Sequence, residues 1–229
     1  MASVPAADVD LAATDHLLTS TRSVRRRLDF DRQVPPELVE ECLDIAIQAP
    51  TGSNSQGWHF IVVEDDETKV ALADLYRRGF DHYASVPQVP RFDKGDPRAE
   101  QMRGILGSAA YLNKRLHEVP LMILPCVEGR WEDLSVFHQA GAYGSIFPAV
   151  WSLMLALRAR GVGSSLTTLH LMYERDAAEL LDIPGGVTQV GLLPVGYYTG
   201  ATFRRAGRIP AEERTYWGRW GRPHEARPK

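Results

Sequence analysis

The chain has 229 residues, of which 44% are hydrophobic and 24% are charged, a composition typical of a globular protein with an ordinary core. Its formal net charge of −3 gives no electrostatic reason to expect a nucleic acid or an anionic membrane as a partner. The sequence contains no run of 18 apolar residues and begins with an acidic segment. We therefore expect neither a membrane span nor a secretory signal, and we expect the protein to be cytoplasmic.

The first half of the chain predicts two long helices around one buried strand. Residues 1–15 are expected to form a loose, flexible arm, and residues 16–229 a single domain. Apolar residues recur at helical spacing in 34–50 and again from about 68 to 78. The aliphatic run at 59–63 lies between these helices and predicts a strand of the core.

The segment 79–120 is the least regular part of the sequence. It mixes aromatic, proline and charged residues without a period, which predicts an excursion or lid leading into a helix near 98–117. Phe80, Tyr83 and Phe92 line an aromatic substrate pocket in one interpretation and belong to a lid packed on itself in the other. The sequence leaves both interpretations open.

The second half predicts two further buried strands, at 121–129 and 188–198. Between them, 145–163 is apolar around most of a helical circumference, so we expect a central helix there, followed by a short helix at 173–183. Interleaved strands and helices of this kind predict an α+β fold or a three-layer α/β fold with a central sheet.

The sequence lacks the motifs of several enzyme classes. It has no P-loop, no strand followed by a G-x-G-x-x-G turn and helix, and no G-x-S-x-G elbow. Its histidines show no metal-type spacing, and we interpret His138 and His170 as structural. Cys42 and Cys126 are interpreted as buried thiols. We therefore expect no metal site and assign no catalytic side chain.

Two basic clusters and one small polar loop remain as candidate binding elements. "TRSVRRR" at 21–27 places a hydroxyl among arginines, and "RRAGR" at 204–208 is a second cluster. Arginine forks and hydroxyls suit a phosphate group. The loop at 50–57 offers side chains that hydrogen-bond a polar heterocycle or a polyol. Each element alone has a purely structural alternative, which is a solvated basic helix end for the two clusters and a surface turn for the loop.

Taken together, these stretches resemble the FMN-dependent nitroreductase family over roughly residues 16–221. Four stretches carry the resemblance in the same order: "TRSVRRR", "APTGSNSQGWHFIVV", "PAVWSLMLALRARGVGSSLTTLH" and "PVGYYTGATFRRAGRIP". The resemblance implies an α+β fold of three α/β/α layers, with a central, mainly antiparallel sheet and helices on both faces. It also implies a homodimer with FMN at the subunit interface.

The resemblance assigns residues to the FMN site. The phosphate is expected at Arg22, Ser23 and Arg208, and the pyrimidine edge of the ring at Arg25. The turn with Thr167 and Thr168 is expected to reach flavin N5. The complete cofactor-binding set is Arg22, Ser23, Arg25, Arg26, Ser53, Asn54, Gln56, Leu166, Thr167, Thr168, Arg205 and Arg208.

The resemblance also implies a reaction. Hydride would pass from diffusible NADPH or NADH to the flavin, and electrons then to a nitroaromatic or quinone acceptor, in a ping-pong cycle. Two alternatives stay open. The same fold also carries reductive dehalogenation, enone reduction or flavin breakdown, and a protein that only sequesters flavin is the second alternative.

Overall fold

The chain forms two compact units in a computed structural model, one made of residues 21–201 and one made of both chain ends, 1–20 and 202–229. The structure describes residues 9–86, 92–93, 95–201 and 203–223.

A five-stranded antiparallel sheet organises residues 21–201. Its strands are β1 Trp58–Val63, β2 Leu121–Glu128, β3 Val162–Ser164, β4 Val187–Gln189 and β5 Leu193–Tyr197. Their order is β1-β2-β5-β3, and β4 pairs with the C-terminal part of β2. Every pairing between these strands is antiparallel, which confirms the expected sheet.

Six α-helices and four short 3₁₀ helices accompany the strands in the described residues. The α-helices are α1 Leu11–Ser20, α2 Pro36–Ala46, α3 Asp66–Ser85, α4 Pro97–Arg115, α5 Val136–Ala159 and α6 Glu174–Leu180. The 3₁₀ helices are Gly52–Asn54, Leu116–Glu118, Leu169–Tyr173 and Ala211–Arg214. Helix α1 and the last 3₁₀ helix belong to the unit formed by the chain ends.

The central strand β2 is buried on both faces, which explains its continuous run of apolar residues. Successive side chains of a strand point to opposite faces. Leu121 and Ile123 belong to one core cluster together with residues of α2 and α5. Met122 and Leu124 alternate with them and are fully buried outside that cluster. The α+β fold with helices on both faces of the sheet is thereby confirmed.

Several predicted boundaries need correction. The segment 79–120 is mostly helical, because α3 continues to Ser85 and α4 begins at Pro97. Between these two helices the structure describes only residues 86, 92–93 and 95–96, and residues 87–91 and 94 of the predicted excursion lie outside the described residues. The division into an arm at 1–15 and one domain stays a prediction, although α1 starts inside the proposed arm and residues 1–8 lie outside the described residues.

Two further elements differ from the prediction. Helix α5 begins at Val136 and continues through Pro148, whereas the glycine- and proline-containing sequence there predicted a start at 145. The predicted strand at 188–198 is two strands, β4 and β5, separated by residues 190–192. The break occurs because Leu192 pairs with Thr167 instead of with β2.

Helix α5 is the one helix in the described residues that is long and apolar enough to cross a membrane. It has 24 residues, and the mean hydropathy of its most apolar window is 1.4. Half of that window is buried inside the protein, as in a core helix of the same length and composition.

Gly79 in α3 marks a close approach between two elements. A Cβ atom at this position would lie 2.1 Å from the backbone oxygen of Leu169. Glycine inside a helix is about 1 kcal/mol less favourable than alanine. The approach of α3 to the 3₁₀ helix Leu169–Tyr173 gives the physical reason for a glycine there.

Gly79→Ala is therefore expected to lower the free energy of unfolding by about 1–3 kcal/mol, as overpacking typically does. Urea unfolding followed by circular dichroism measures the change. Gly104→Ala in α4 is the matched control, because a Cβ there meets nothing within 4 Å. This control should be neutral or stabilising by up to ~1 kcal/mol. Equal effects of the two substitutions would contradict the close approach.

Candidate functional site

The stretch 21–28 lies beside the edge strand β3. The backbone N–H of Val24 donates to the carbonyl of Ser164 at 2.9 Å. Gly163 permits this contact, since a Cβ there would lie 2.8 Å from the Cβ of Val24. Leu28 then forms a bridge with Tyr198, at the end of β5. The first basic cluster is thereby fixed to one edge of the sheet.

Arg25 and Arg26 both reach from this stretch to α4. Arg25 Nη1 lies 3.5 Å from the hydroxyl of Ser108, and Arg26 Nη2 donates to the carbonyl of Gly107 at 3.0 Å. Burial lowers the pKa of the Arg25 guanidinium below its usual range. Neither arginine has a carboxylate partner among the described residues. Two neighbouring cations without a carboxylate form an arrangement suited to an anionic ligand.

Arg22 and Ser23 extend this basic region. Arg22 is half-buried, and its Nη1 donates to the neighbouring Thr21 carbonyl at 2.5 Å. The Ser23 side chain is exposed. The region therefore combines guanidinium donors with an accessible hydroxyl, as the sequence predicted for a phosphate site.

The segment from Leu166 to Thr168 follows β3 and lies next to the basic stretch. Thr167 forms two backbone hydrogen bonds with Leu192, of 3.0 and 2.8 Å. Leu166 packs over Gly191, where a Cβ would lie 2.5 Å from its Cδ1 atom. Thr168 is exposed.

Tyr76 of α3 lies close to Thr167 and Arg25, and sequence reasoning missed it. Its side chain is 2% exposed. Burial raises the pKa of Tyr76 above its usual range, while Thr167 and the charge of Arg25 lower it by smaller amounts. We call the following set the arginine–threonine cluster: Arg22, Ser23, Arg25, Arg26, Leu166, Thr167, Thr168, Tyr76 and Ser108.

The loop 51–57 has a strained backbone. Ser53 and Asn54 both have φ near 54°, and Gln56 has φ of 50°. Residues other than glycine seldom adopt such angles, and each costs about 1–3 kcal/mol unless its surroundings hold it in place. Strained residues of this kind concentrate at ligand-binding sites, so the three residues predicted from the sequence carry an independent signal.

Contacts with α5 and within the loop hold this conformation. Gly52 donates its backbone N–H to the hydroxyl of Ser145 at 3.0 Å. That hydroxyl in turn donates to the carbonyl of Gly141 at 2.7 Å. Gln56 Nε2 donates to Asn54 Oδ1 at 3.1 Å, so the two predicted amides bind each other. Ser145 was not identified from the sequence, because a serine within an apolar helix gives no signal by itself.

A cavity of about 820 Å³ adjoins this loop. Three aromatic side chains line it, Trp58, Trp131 and Phe137, together with the ionisable Glu128 and His138. This size and this lining are typical of sites for small, largely apolar ligands. Trp58 also packs against the core cluster.

The aromatic residues predicted to bind substrate lie elsewhere. Phe80 and Tyr83 are half-buried residues of the last turns of α3. Phe92 is half-buried, with the Arg98 guanidinium 4.4 Å from its ring centre. None of the three lines the 820 Å³ cavity, and their substrate role stays a prediction.

The loop and the arginine–threonine cluster lie at opposite edges of the sheet. The loop leads into β1, and the cluster lies along β3, which is three strand spacings away, or about 14 Å. The two regions are also displaced from each other along the direction of β2. Trp58 pairs with Val127 near the C-terminal end of this strand, whereas Ser164 is aligned with Leu121 at its N-terminal end. One chain therefore does not bring these two sets of predicted residues together.

Arg205 and Arg208 belong to the unit formed by the chain ends and are both exposed. Arg208 Nη1 donates to the carbonyl of its neighbour Gly207 at 3.2 Å. Their assignment to a cofactor phosphate stays a prediction.

Among residues 9–86, 92–93, 95–201 and 203–223, no three His, Cys, Asp or Glu side chains form a group able to hold a metal ion.

Comparisons with known proteins agree on one family. The sequence model of the Nitroreductase family matches residues 18–197. A 4-nitrobenzoate reductase of Nocardioides sp. (strain LMS-CY) is 27% identical over 210 residues, covering 82% of this chain and 81% of that protein. An iodotyrosine deiodinase crystallised with FMN and 3-iodo-L-tyrosine has a TM-score of 0.64 and 25% identity, covering 85% of this chain and 95% of that one.

A second solved structure shows the same fold. It is an FMN-dependent nitroreductase from Mycobacterium smegmatis in complex with NADPH, with a TM-score of 0.65. Its sequence is 20% identical, and the alignment covers 92% of this chain and all of that one.

Proposed function

Because this chain belongs to the nitroreductase family, we propose that it is an FMN-dependent oxidoreductase that accepts hydride from NADPH or NADH and reduces nitroaromatic or quinone acceptors. The observation that carries the proposal is the arginine–threonine cluster, in which Arg25 and Arg26 have no carboxylate partner among the described residues. A bound phosphate and a reduced flavin ring would supply the missing negative charge.

The residues of the cluster fit FMN by their chemistry. FMN, when bound, supplies the hydride transfer, and the protein supplies position and electrostatics. Arg22 and Ser23 would donate hydrogen bonds to the phosphate, with Arg26, Arg205 and Arg208 adding positive charge. Arg25 would lie near the pyrimidine edge, where its charge favours the reduced, anionic ring.

A homodimer would complete the site. The strained loop of one chain and the arginine–threonine cluster of its partner would then face the same cofactor, which explains why they lie at opposite edges of one sheet. Apolar surface beside the loop supports this assembly, because Val136 is 82% and Phe137 is 81% exposed. Large exposed apolar side chains are typical of interaction surfaces.

The acceptor is proposed to be a small aromatic molecule. The 820 Å³ cavity beside the loop provides aromatic walls from Trp58, Trp131 and Phe137. Phe80, Tyr83 and Phe92 remain a second proposed surface for it. We further propose a cytoplasmic location, which agrees with the two buried free cysteines, Cys42 and Cys126.

Reductive dehalogenation is a second candidate function. It is favoured by the similarity to an iodotyrosine deiodinase that binds FMN and 3-iodo-L-tyrosine. The chain is also 28% identical over 186 residues to an iodotyrosine deiodinase of Thermotoga neapolitana. In both candidate functions the same cluster would hold the same cofactor.

Anaerobic spectroscopy of the purified protein tests the proposal. The protein should retain FMN, run at twice the mass of one chain in gel filtration, and lose its flavin absorbance after NADPH or NADH is added. Oxidation by a nitroaromatic, a quinone or a halophenol then ranks the acceptors. Bound FMN that neither nucleotide reduces would indicate a flavin-sequestering protein, and failure to bind FMN would reject the proposal.

A further inference from the structure

The end of β2 and the turn after it form one side of the 820 Å³ cavity beside the loop. Gly129 has a φ angle of 97°, which glycine adopts without steric conflict. Its N–H donates to the carbonyl of Gly186 at 2.7 Å, and its carbonyl accepts the Thr188 hydroxyl at 2.6 Å. A Cβ at Gly129 would lie 2.4 Å from Cζ2 of Trp131. The indole of Trp131 therefore lies directly against a backbone turn that these hydrogen bonds hold in place.

The Trp131 side chain is fixed before any ligand binds. Nε1 of the indole donates to the carbonyl of Glu128 at 2.9 Å, and the backbone N–H of Trp131 donates to Glu132 Oε2 at 2.9 Å. Arg130 holds the same carboxylate, because its Nε and Nη2 donate to Glu132 Oε1 at 2.9 and 2.7 Å. An aromatic side chain that is already ordered loses little conformational entropy when a ligand packs against it. Trp131 is therefore a rigid aromatic wall for a planar ligand.

The cavity carries negative charge on the side of this wall. In the part of the chain that the structure describes, its ionisable lining residues are Glu128 and His138, and none of the lining residues is a lysine or an arginine. The Glu128 carboxylate lies beside the loop, since its Oε2 would be 3.4 Å from a Cβ at Gly57. Its side chain is 66% exposed, with Oε1 3.2 Å from Nε2 of His59. At pH 8, where imidazole groups are neutral, this carboxylate leaves the lining with a net negative charge.

This charge acts differently on different aromatic ligands. A cationic substituent would be attracted by Glu128 and by the π face of Trp131. An anionic substituent would meet the carboxylate without a cation from the lining to compensate it. In the proposed dimer the arginines of the partner's cluster would pair with the FMN phosphate and ring, so Glu128 would remain the charge that the acceptor meets.

We propose that this cavity selects the acceptor by charge: it binds aromatic acceptors that are neutral or carry a cationic substituent, and it disfavours aromatic carboxylates. Trp131 is the surface on which the acceptor ring packs, and Glu128 is the residue that determines the preference. This inference rests on the function proposed above and adds to it the class of substrate.

The test uses three nitroaromatic acceptors of similar size and different charge: 4-nitrobenzyltrimethylammonium, 4-nitrobenzyl alcohol and 4-nitrophenylacetate. Each is titrated at pH 8 into the oxidised, FMN-loaded protein without a nicotinamide, so that no turnover occurs and calorimetry gives a dissociation constant. The rate constant for reoxidation of the reduced protein by each acceptor is measured separately. Each acceptor is compared between the wild type and the variants, so that intrinsic differences between the acceptors cancel.

Glu128→Gln removes the charge and keeps the shape of the side chain. The wild type should bind the cation more tightly than the anion. The variant should bind the cation about threefold more weakly and the anion about threefold more tightly, as expected of one exposed charge, and should bind the alcohol as the wild type does. Reoxidation rate constants should change in the same sense. Glu64→Gln is the matched control, because Glu64 is an exposed carboxylate beyond the other end of β1.

Trp131→Leu tests the aromatic wall. This variant should bind all three acceptors about fivefold more weakly, with the largest loss for the cation, because it removes the ring on which the acceptor packs. Trp220→Leu is its matched control, since Trp220 is 89% exposed and belongs to the unit formed by the chain ends. The control should leave all three dissociation constants unchanged.

Several results would overturn the inference. One is a ratio of the cation and anion dissociation constants that Glu128→Gln does not change, or that Glu64→Gln changes equally. A wild type that prefers the carboxylate, or that binds none of the three acceptors, would also overturn it. Equal constants for the wild type and Trp131→Leu would remove Trp131 from the site. Failure of the wild type to bind FMN would instead reject the proposed function, and titration of the apoprotein would still decide the charge preference of the cavity.

Discussion

Arg25→Leu is expected to lower the two-electron reduction potential of bound FMN by tens of millivolts. Two unit charges about 4 Å apart interact by about 4 kcal/mol at an effective dielectric constant near 20. For a two-electron couple 30 mV corresponds to about 1.4 kcal/mol, so the upper limit of the change is ~90 mV. The potential falls because the positive charge of Arg25 favours the reduced, anionic ring, and leucine removes that charge.

Two control variants separate charge from structure in this experiment. Arg25→Lys keeps the charge and should retain most of the potential, while losing the planar fork. Arg175→Leu removes a charge from the exposed surface of α6 and should leave the potential unchanged. Spectroelectrochemical titration measures all three variants against the wild type. A midpoint potential that Arg25→Leu does not alter would remove Arg25 from the flavin ring.

His170 is expected to make the protein less stable as the pH falls from about 6.5 to 4. Its side chain is 0% exposed, and burial lowers its pKa to about 4. In the unfolded chain the pKa of histidine is about 6.5. Between these two values the unfolded state binds more protons, so the free energy of unfolding decreases with falling pH, by up to ~3 kcal/mol at pH 4 and below.

The neighbours of His170 act in the opposite direction but more weakly. The side chain of Gln189 on β4 and the carboxylate of Glu174 on α6 both raise its pKa, and burial outweighs them. Cys126 on β2 lies in the same region, close enough for Glu174 to act on it as well. Burial raises the pKa of this thiol to about 12, so it stays neutral throughout the range in question.

Urea unfolding at pH 7, 5.5 and 4.5 measures the effect. His170→Leu should flatten the pH dependence of the free energy of unfolding, whatever its effect on stability at pH 7. His138→Gln is the matched control, because His138 is exposed on α5, where its Nδ1 lies 2.9 Å from the Ser135 hydroxyl. If the slope for His170→Leu equals that of the wild type, another group is responsible for it.

Local patterns in the sequence were sufficient for the element types and for the family. The helical spacing at 34–50 predicted α2, and the apolar run at 121–129 predicted β2 to within one residue. The polar stretch before β1 indicated a binding loop, and its strained residues Ser53, Asn54 and Gln56 agree with that interpretation. These features depend on residues close together in the chain. The spacing of apolar residues and the presence of turn-forming residues therefore indicate them directly.

Contacts between distant residues were not predictable in this way. Tyr76 resembles any aromatic residue of an amphipathic helix, and Gly79 any isolated glycine, until α3 packs against the segment that follows β3. The break between β4 and β5 likewise depends on the pairing of Leu192 with Thr167.

The sequence by itself therefore determined the α+β class, the order of most elements and membership of a flavin-binding family. Only the tertiary structure decided that the arginine–threonine cluster and the strained loop lie at opposite edges of one sheet, and that Thr167 is engaged while Thr168 is exposed. The physical reason is that strand order and side-chain partners are set by packing between residues far apart in the chain, for which a single sequence carries no local signal.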